Sequence, residues 1–503
     1  MESANHSKDH QSAATPRGGQ TPALYRPRRP EETVLYKAVA GNYRTFQALA
    51  ELEGKKLPQH VTKEFESFLR CGILAHGFLR LRCEDCHQEK LLAFSCKKRG
   101  FCSSCGGRRM AESAAHLVDE VFPRVGVRQW VLSFPMPVRF ILAQNRDLLA
   151  RCLTIVHRAI TTYLCQKARR QGLNAPLQPG AVTLIQRFGG SLNLNVHYHM
   201  LFLEGGYFQT RKGPKFWRSG PPSDEDIQAM VVTIAKRIIR FLKKKGYFQD
   251  DVDSAVPDED MTQESLLPEL QAASIQSRIA MGERKGGYVR RLGAVDFNRL
   301  KSERTGHLCA QVAGFSLHAA VSCKPWEREK LEMLCRYITR PAVAEERLEL
   351  QPSGDIILRL KTPYSDGTTH LLFSGLEFVE KLAALIPPAR VHLTRFFGCL
   401  APHAKIRPFI VPQPFPIATP VSEQPDTPQT PSQRPVGATR WAELLARVFG
   451  IDMSLCHDCG GSLKIIAAIL DPHAIKSILT HLKLPDKPPG LAPARFPEQS
   501  QFA

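Results

Sequence analysis

Three groups of residues in this chain have types and spacings suited to chemistry. Two Cys-x-x-Cys knuckles, Cys83/Cys86 and Cys102/Cys105, stand fifteen residues apart. Thiolate pairs at the ends of such a loop can converge on one tetrahedral zinc, and four protein sulfurs would make that site structural. Gly106-Gly107 reads as permissive backbone after the second knuckle. Cys71, His76, His87 and Cys96 are near enough to replace one ligand. A third knuckle, Cys456/Cys459, has no sequential partner pair, so a second zinc there would draw on His457, His473, His481 or a second copy of the chain. The second group lies in residues 192–203, where apolar and polar side chains alternate as in a strand. His197 and His199 fall on one face with Asn193 and Asn195, and two imidazoles at i and i+2 can share a divalent cation. The third is Tyr337 on a helix predicted over 326–340, flanked by Arg336 and Arg340 and stopped by Pro341. A phenol with a pKa near ~10 needs help to act as a nucleophile at neutral pH. Two guanidiniums would favour the phenolate and could also hold a phosphate.

The elements that must position these groups follow from periodicity. A strand over 129–134, a helix over 145–169, a strand over 182–188, a Gly189-Gly190 turn and the histidine strand give a β-α-β-β order. That order suits an α+β fold, an antiparallel sheet backed by helices. The chain divides into a disordered arm (1–31), a helical and zinc-binding DNA-binding domain (32–115), and a catalytic domain (116–345) with an insertion at its rim (205–290). A continuation (346–410), a Pro-rich linker (411–437) and a small C-terminal domain (438–503) complete it.

Charge narrows the partner. Sixty-eight Lys and Arg against 48 Asp and Glu leave +20, which favours a nucleic acid. Lys97, Lys98, Arg99, Arg108 and Arg109 crowd the knuckles. Lys215, Trp217 and Arg218, and Arg290 and Arg291 after Tyr288, mix cations with rings, a composition that tracks single strands by phosphate contact and base stacking. No apolar run reaches the ~18–20 residues of a membrane span, and the first thirty residues hold no apolar core of a secretory signal. Fourteen cysteines without secretory features point to a cytoplasmic protein with metal sites or buried thiols.

Four blocks, 78–110, 185–207, 314–347 and 366–408, resemble in the same order the transposases of the IS91 family, which lie within the rolling-circle His-hydrophobic-His (HUH) nucleases. The resemblance implies a zinc domain ahead of an HUH core in which His197 and His199 hold Mg²⁺ or Mn²⁺. It implies Tyr337 as the nucleophile, a 5′-phosphotyrosine intermediate, and single-stranded or hairpin ends of a mobile element as substrate. The host it implies is a bacterium, with the protein at the nucleoid. Many relatives carry two tyrosines four residues apart, whereas Met333 stands four before Tyr337 here. A homodimer or repeated use of Tyr337 would then replace the second tyrosine. His318 is the candidate third metal ligand, with Gln186 and Glu204 behind it. The alternatives are a plasmid replication initiator or relaxase with the same chemistry, a non-catalytic zinc regulator, and an RNA-binding zinc protein.

Overall fold

The computed structural model describes residues 28–248, 264–293, 306–412 and 455–495 apart from His457, and the backbone alone of 23–24 and 451–452. The arm before residue 28, the acidic stretch after 248, and the linker with the start of the C-terminal domain lie outside the described residues.

Helices α1 (Val34–Leu52) and α2 (Gln59–Arg70) form a hairpin whose aromatic stripe continues into the cysteine block. The rings of Tyr43 and Phe65 stack at 4.7 Å, and Phe101 closes on Phe65 and Phe68 at 4.8 and 5.0 Å. Strands β1 (Phe78–Cys83) and β2 (Glu89–Ala93) pair antiparallel, and α3 (Ser103–His116) follows. Gly106 and Gly107, read as permissive backbone after the second knuckle, belong to α3 and are helical.

The main sheet contains β3 (Val127–Ser133), β4 (Gly180–Phe188), β5 (Leu194–Leu203), β6 (Cys309–Val312), β7 (Phe315–His318) and β8 (Thr394–Gly398). Their spatial order is β6-β7-β3-β5-β4-β8, every neighbouring pair antiparallel, so the histidine strand β5 is central. Between β3 and β4 run α4 (Met136–Gln144) and α5 (Arg146–Arg170), the latter capped by the Asn145 side chain. Then come α6 (Asp224–Lys244), α7 (Leu267–Ile275), α8 (Arg328–Thr339) and α9 (Gly375–Leu385). Tyr198, Met200 and Phe202 of β5 are buried in one core with Leu149, Leu153 and Val156 of α5. Leu201 and Leu203 share the opposite core with Cys335 and Ile338 of α8. Each such side chain contributes roughly 1.5–3 kcal/mol on burial.

The reading of residues 205–290 as a rim insertion needs correction. Ile227, Val231, Ile234, Ile238 and Leu242 give α6 a fully buried stripe in the same core as Tyr198. At the start of β5, the Leu194 N–H donates to Ser274 Oγ of α7 at 2.9 Å. The 3.6-residue apolar period of α6, joined to the main core, makes it a structural layer and not an appendage.

Arg128 of β3 and Glu204, just past β5, form a buried ion pair, with Arg128 Nε donating to Glu204 Oε1 at 3.1 Å and Nη1 donating to Ala319 O at 2.8 Å. Removing one member leaves an uncompensated buried charge, worth about 3–5 kcal/mol. Glu204→Ala is therefore expected to lower stability by that amount in a denaturant titration; a loss below ~1 kcal/mol would show that water reaches Arg128. Among the described residues no helix is long and apolar enough to cross a membrane.

Candidate active site

Strand alternation turns His197 and His199 to the face of β5 that looks at α8. Both are buried, at 8% and 5% exposure. Their Nε2 atoms approach to 3.1 Å, so the two imidazoles aim at one point. The outer nitrogens are held: His197 Nδ1 lies 2.8 Å from the Asn195 carbonyl and His199 Nδ1 lies 2.8 Å from the Gln129 amide. A carbonyl partner fixes the His197 tautomer, with Nδ1–H donating and the Nε2 lone pair facing inward. Gln129 can do the same for His199 once its amide oxygen faces Nδ1, an orientation set by the hydrogen-bond network. Burial pushes the His197 pKa down to about 4, helped by Arg340 and Arg139, and pushes His199 well below its usual range. Both rings are thus neutral near pH 7, the form that ligates metal.

Helix α8 brings Tyr337 to this pair. Its ring centroid lies 6.3 Å from that of His199, edge to face, and the side chain remains 41% exposed. Arg340 and Lys361 lie 4.3 and 4.6 Å from the centre of the Tyr337 ring. Leu331, Cys335 and Ile338 bury the inner stripe of α8. Arg328 anchors its start by donating to the Val118, Phe122 and Pro123 carbonyls. Its far end is packed against α3: a Cβ on Gly106 would lie 2.5 Å from Pro341 Cβ, so only glycine permits this approach.

The expectation for a third ligand needs correction. His318 pairs with Val131, and Val131 with His199, so a whole strand separates the two histidines, roughly 9–10 Å at two strand spacings. Glu204 is committed to Arg128. Among the described residues no His, Cys, Asp or Glu joins the pair as a third donor within 4.8 Å. Gln186 stands directly across from His197 on β4. Its Nε2 donates to Ile338 O at 3.3 Å, leaving Oε1 for another partner.

The cations divide into two sets. Lys97, Lys98, Arg99 and Arg109 border a cleft of about 460 Å³ together with Gln186 and Arg340. Arg99 and Arg109 donate to backbone carbonyls, so their charge is not cancelled there. Arg108 pairs with Glu112, Arg336 with Glu332, Arg290 with Asp355 and Glu377, and Arg291 with Asp366. Each of these four has an acidic partner within ion-pair distance. Lys215, Trp217 and Arg218 lie on the hairpin strand Gly213–Arg218, which pairs with Gly205–Thr210 apart from the main sheet.

The cysteines are grouped differently from the expectation. Cys71, Cys96, Cys102 and Cys105 form one cluster, and Cys83, Cys86, Cys456 and Cys459 form another. The two sequential knuckles do not share a site, because β1 and β2 carry Cys83 and Cys86 away from α3 while Cys71, at the end of α2, turns toward it. In the first cluster Cys71 lies 3.7 Å from both Cys102 and Cys105, and Cys96 lies 3.4 Å from Cys105. Zinc–sulfur bonds of ~2.3 Å place tetrahedral sulfurs about 3.8 Å apart, whereas a disulfide needs ~2.05 Å. The donor set therefore fits zinc.

Residues 42–134 match a family model described as "Transposase zinc-binding domain" of IS91 type, and residues 180–407 match one described as "Putative transposase". The chain belongs to the IS91-family transposases. No match was found among curated proteins or among solved structures. The zinc-binding match and the cysteine clusters together support structural zinc in the transposase.

Sequence reasoning missed three participants in this transposase. Gln129 orients His199 from the same sheet face, and its signal was only a polar residue inside an apolar strand. Arg187, buried on β4, lines the same cleft as Gln186 and donates Nη1 to Ala143 O at 3.1 Å. Lys361 lies in a loop whose approach to Tyr337 no local pattern encodes.

Proposed function

We propose that this transposase cuts and rejoins single-stranded DNA at the ends of its mobile element in a rolling-circle reaction. Tyr337 is the nucleophile, and His197, His199 and the Gln186 amide oxygen hold a Mg²⁺ or Mn²⁺ ion in an HUH-type site. The observation that carries this reading is the meeting of the paired Nε2 atoms, 3.1 Å apart, with a partly exposed tyrosine ring 6.3 Å from His199. Bound there, the cation would polarise the scissile phosphate. Nitrogen donors with an amide oxygen and substrate phosphate oxygens suit Mn²⁺ or Mg²⁺.

The residues account for each step. Arg340 and Lys361, lying over the Tyr337 ring, offer their charge to the phosphate that Tyr337 attacks. Its oxygen forms a bond to phosphorus as the P–O3′ bond breaks; the phenol proton passes to water and the departing 3′ oxygen takes up a proton. The 5′-phosphotyrosine keeps the phosphodiester energy, so a later 3′-hydroxyl can displace Tyr337 without ATP. Lys97, Lys98, Arg99 and Arg109 supply phosphate contacts along the cleft leading to Gln186.

The test is nicking of a single-stranded oligonucleotide carrying the element end, with Mn²⁺ or with EDTA. Losing outer partners of a metal ligand already costs about 10–100-fold. The His197→Ala/His199→Ala double variant is expected to lose at least ~100-fold in nicking while still shifting the oligonucleotide in a gel. Unchanged nicking, or nicking in EDTA, would overturn the metal assignment.

A further inference from the structure

The second cysteine cluster joins residues from opposite ends of the chain. Cys83 ends β1 and Cys86 lies in the turn after it, while Cys456 and Cys459 sit 370 and more residues later. Cys83 Sγ is 3.4 Å from Cys459 Sγ, and Cys86 Sγ is 3.6 Å from Cys456 Sγ. These separations approach the ~3.8 Å edge of a zinc–thiolate tetrahedron and exclude disulfides. Each knuckle is closed by its own backbone: Cys83 N donates to Gln88 O, and Cys456 N donates to Gly461 O at 2.7 Å. Gly461 N also donates to Cys459 Sγ at 3.4 Å, and a side chain on Gly461 would strike the Asp85 carboxylate.

The surrounding structure is continuous across the two ends. Strand β9 (Leu463–Ile469) pairs antiparallel with β1, running from Leu463 opposite Cys83 to Ile469 opposite Phe78, with one irregularity between Ile465 and Ala467. Glu84 N donates to Ser462 O at 3.0 Å, and Lys464 pairs with Glu84. Helix α10 (Pro472–His481) buries Ile475 and Leu479 against Phe78. That core is small, and Ile465, Ile466 and Leu470 remain exposed. Segments of ~40 residues rarely build enough apolar core to fold without a metal or cross-link.

We propose that Cys83, Cys86, Cys456 and Cys459 bind a second structural zinc, which staples the C-terminal segment onto the N-terminal zinc module as the third strand of its sheet. The ion takes four thiolate sulfurs and leaves no open position, so its role is architectural. No histidine is needed to complete it, and no second copy of the chain. The staple stands independently of the nuclease reading, since zinc content is measured without DNA.

The experiment is metal analysis of the full-length protein purified with zinc. Wild type is expected to carry two zinc ions per chain; Cys456→Ser/Cys459→Ser and Cys83→Ser/Cys86→Ser are each expected to carry one. Cobalt substitution should give the absorption of tetrahedral all-thiolate sites, halved in either double variant. One zinc in the wild type, or two in either variant, would overturn the proposal. Should a variant not fold, thiol alkylation of the wild type decides the matter. With zinc bound, Cys456, Cys459, Cys83 and Cys86 should be protected together, and graded chelation should expose all four together. Labelling of one pair while the other stays protected would overturn the staple.

Discussion

Tyr337→Phe is expected to bind single-stranded element ends with wild-type affinity and to form no covalent protein–DNA adduct. The substitution removes one oxygen and leaves the ring between His199, Arg340 and Lys361. Packing and cation–ring contacts therefore survive, and the only loss is the atom that would attack phosphorus. Loss of the adduct is expected to be complete: the residue four before it on α8 is Met333, exposed and without a hydroxyl. The readout is a denaturing gel of the oligonucleotide with Mn²⁺, followed by peptide mapping of any adduct. An adduct that survives in the variant would keep the reaction class and discard Tyr337. Absence of an adduct in the wild type, with a verified element end and either cation, would favour the non-catalytic regulator instead.

The fold was legible where local periodicity governs. Strand alternation over residues 192–203 sets the faces of β5, and the helical period with Asn145 as cap marks α5. The pattern suggested one polar face, yet His197 and His199 are buried too because α8 covers them. Nothing in a strand's own sequence says which helix will lie on it. Long-range pairing was the less legible part. His318 was attractive because it is a histidine near Tyr337 in sequence, but register places Val131 between it and His199. Gln186 was the weaker candidate by residue type and is the direct cross-strand neighbour of His197. The cysteine pairing failed for the same reason. Knuckle spacing of Cys83/Cys86 and Cys102/Cys105 reports that each pair can ligate, while chain topology decides which pairs meet. Lone Cys71 and Cys96 carry no spacing signal, yet they complete the first site.

Cys102→Ser is expected to unfold the N-terminal zinc module and to abolish nicking along with it. Cys71 follows α2, Cys96 follows β2, and Cys102 and Cys105 start α3, so one ion would tie three elements together. Apparent binding free energies of structural zinc are about 10–16 kcal/mol, comparable to the whole stability of a domain at ~5–15 kcal/mol. The contacts of Phe101 with Phe65 and Phe68 add only ~0.5–1.5 kcal/mol each beyond burial and cannot replace it. The damage should reach the reaction centre through Gly106, which lets α3 press on Pro341 at the end of the tyrosine helix. Loss of that support would free Tyr337 from the His197–His199 pair. The first thermal transition is expected to fall by at least about 20 °C, as roughly 4–8 °C per kcal/mol for a module of this size implies. Zinc content should drop by at least one ion, because the unfolded module also carries Cys83 and Cys86, and nicking should disappear. A variant that keeps its zinc and melts with the wild type would show that these four sulfurs are buried thiols and that the aromatic cluster alone holds the module together.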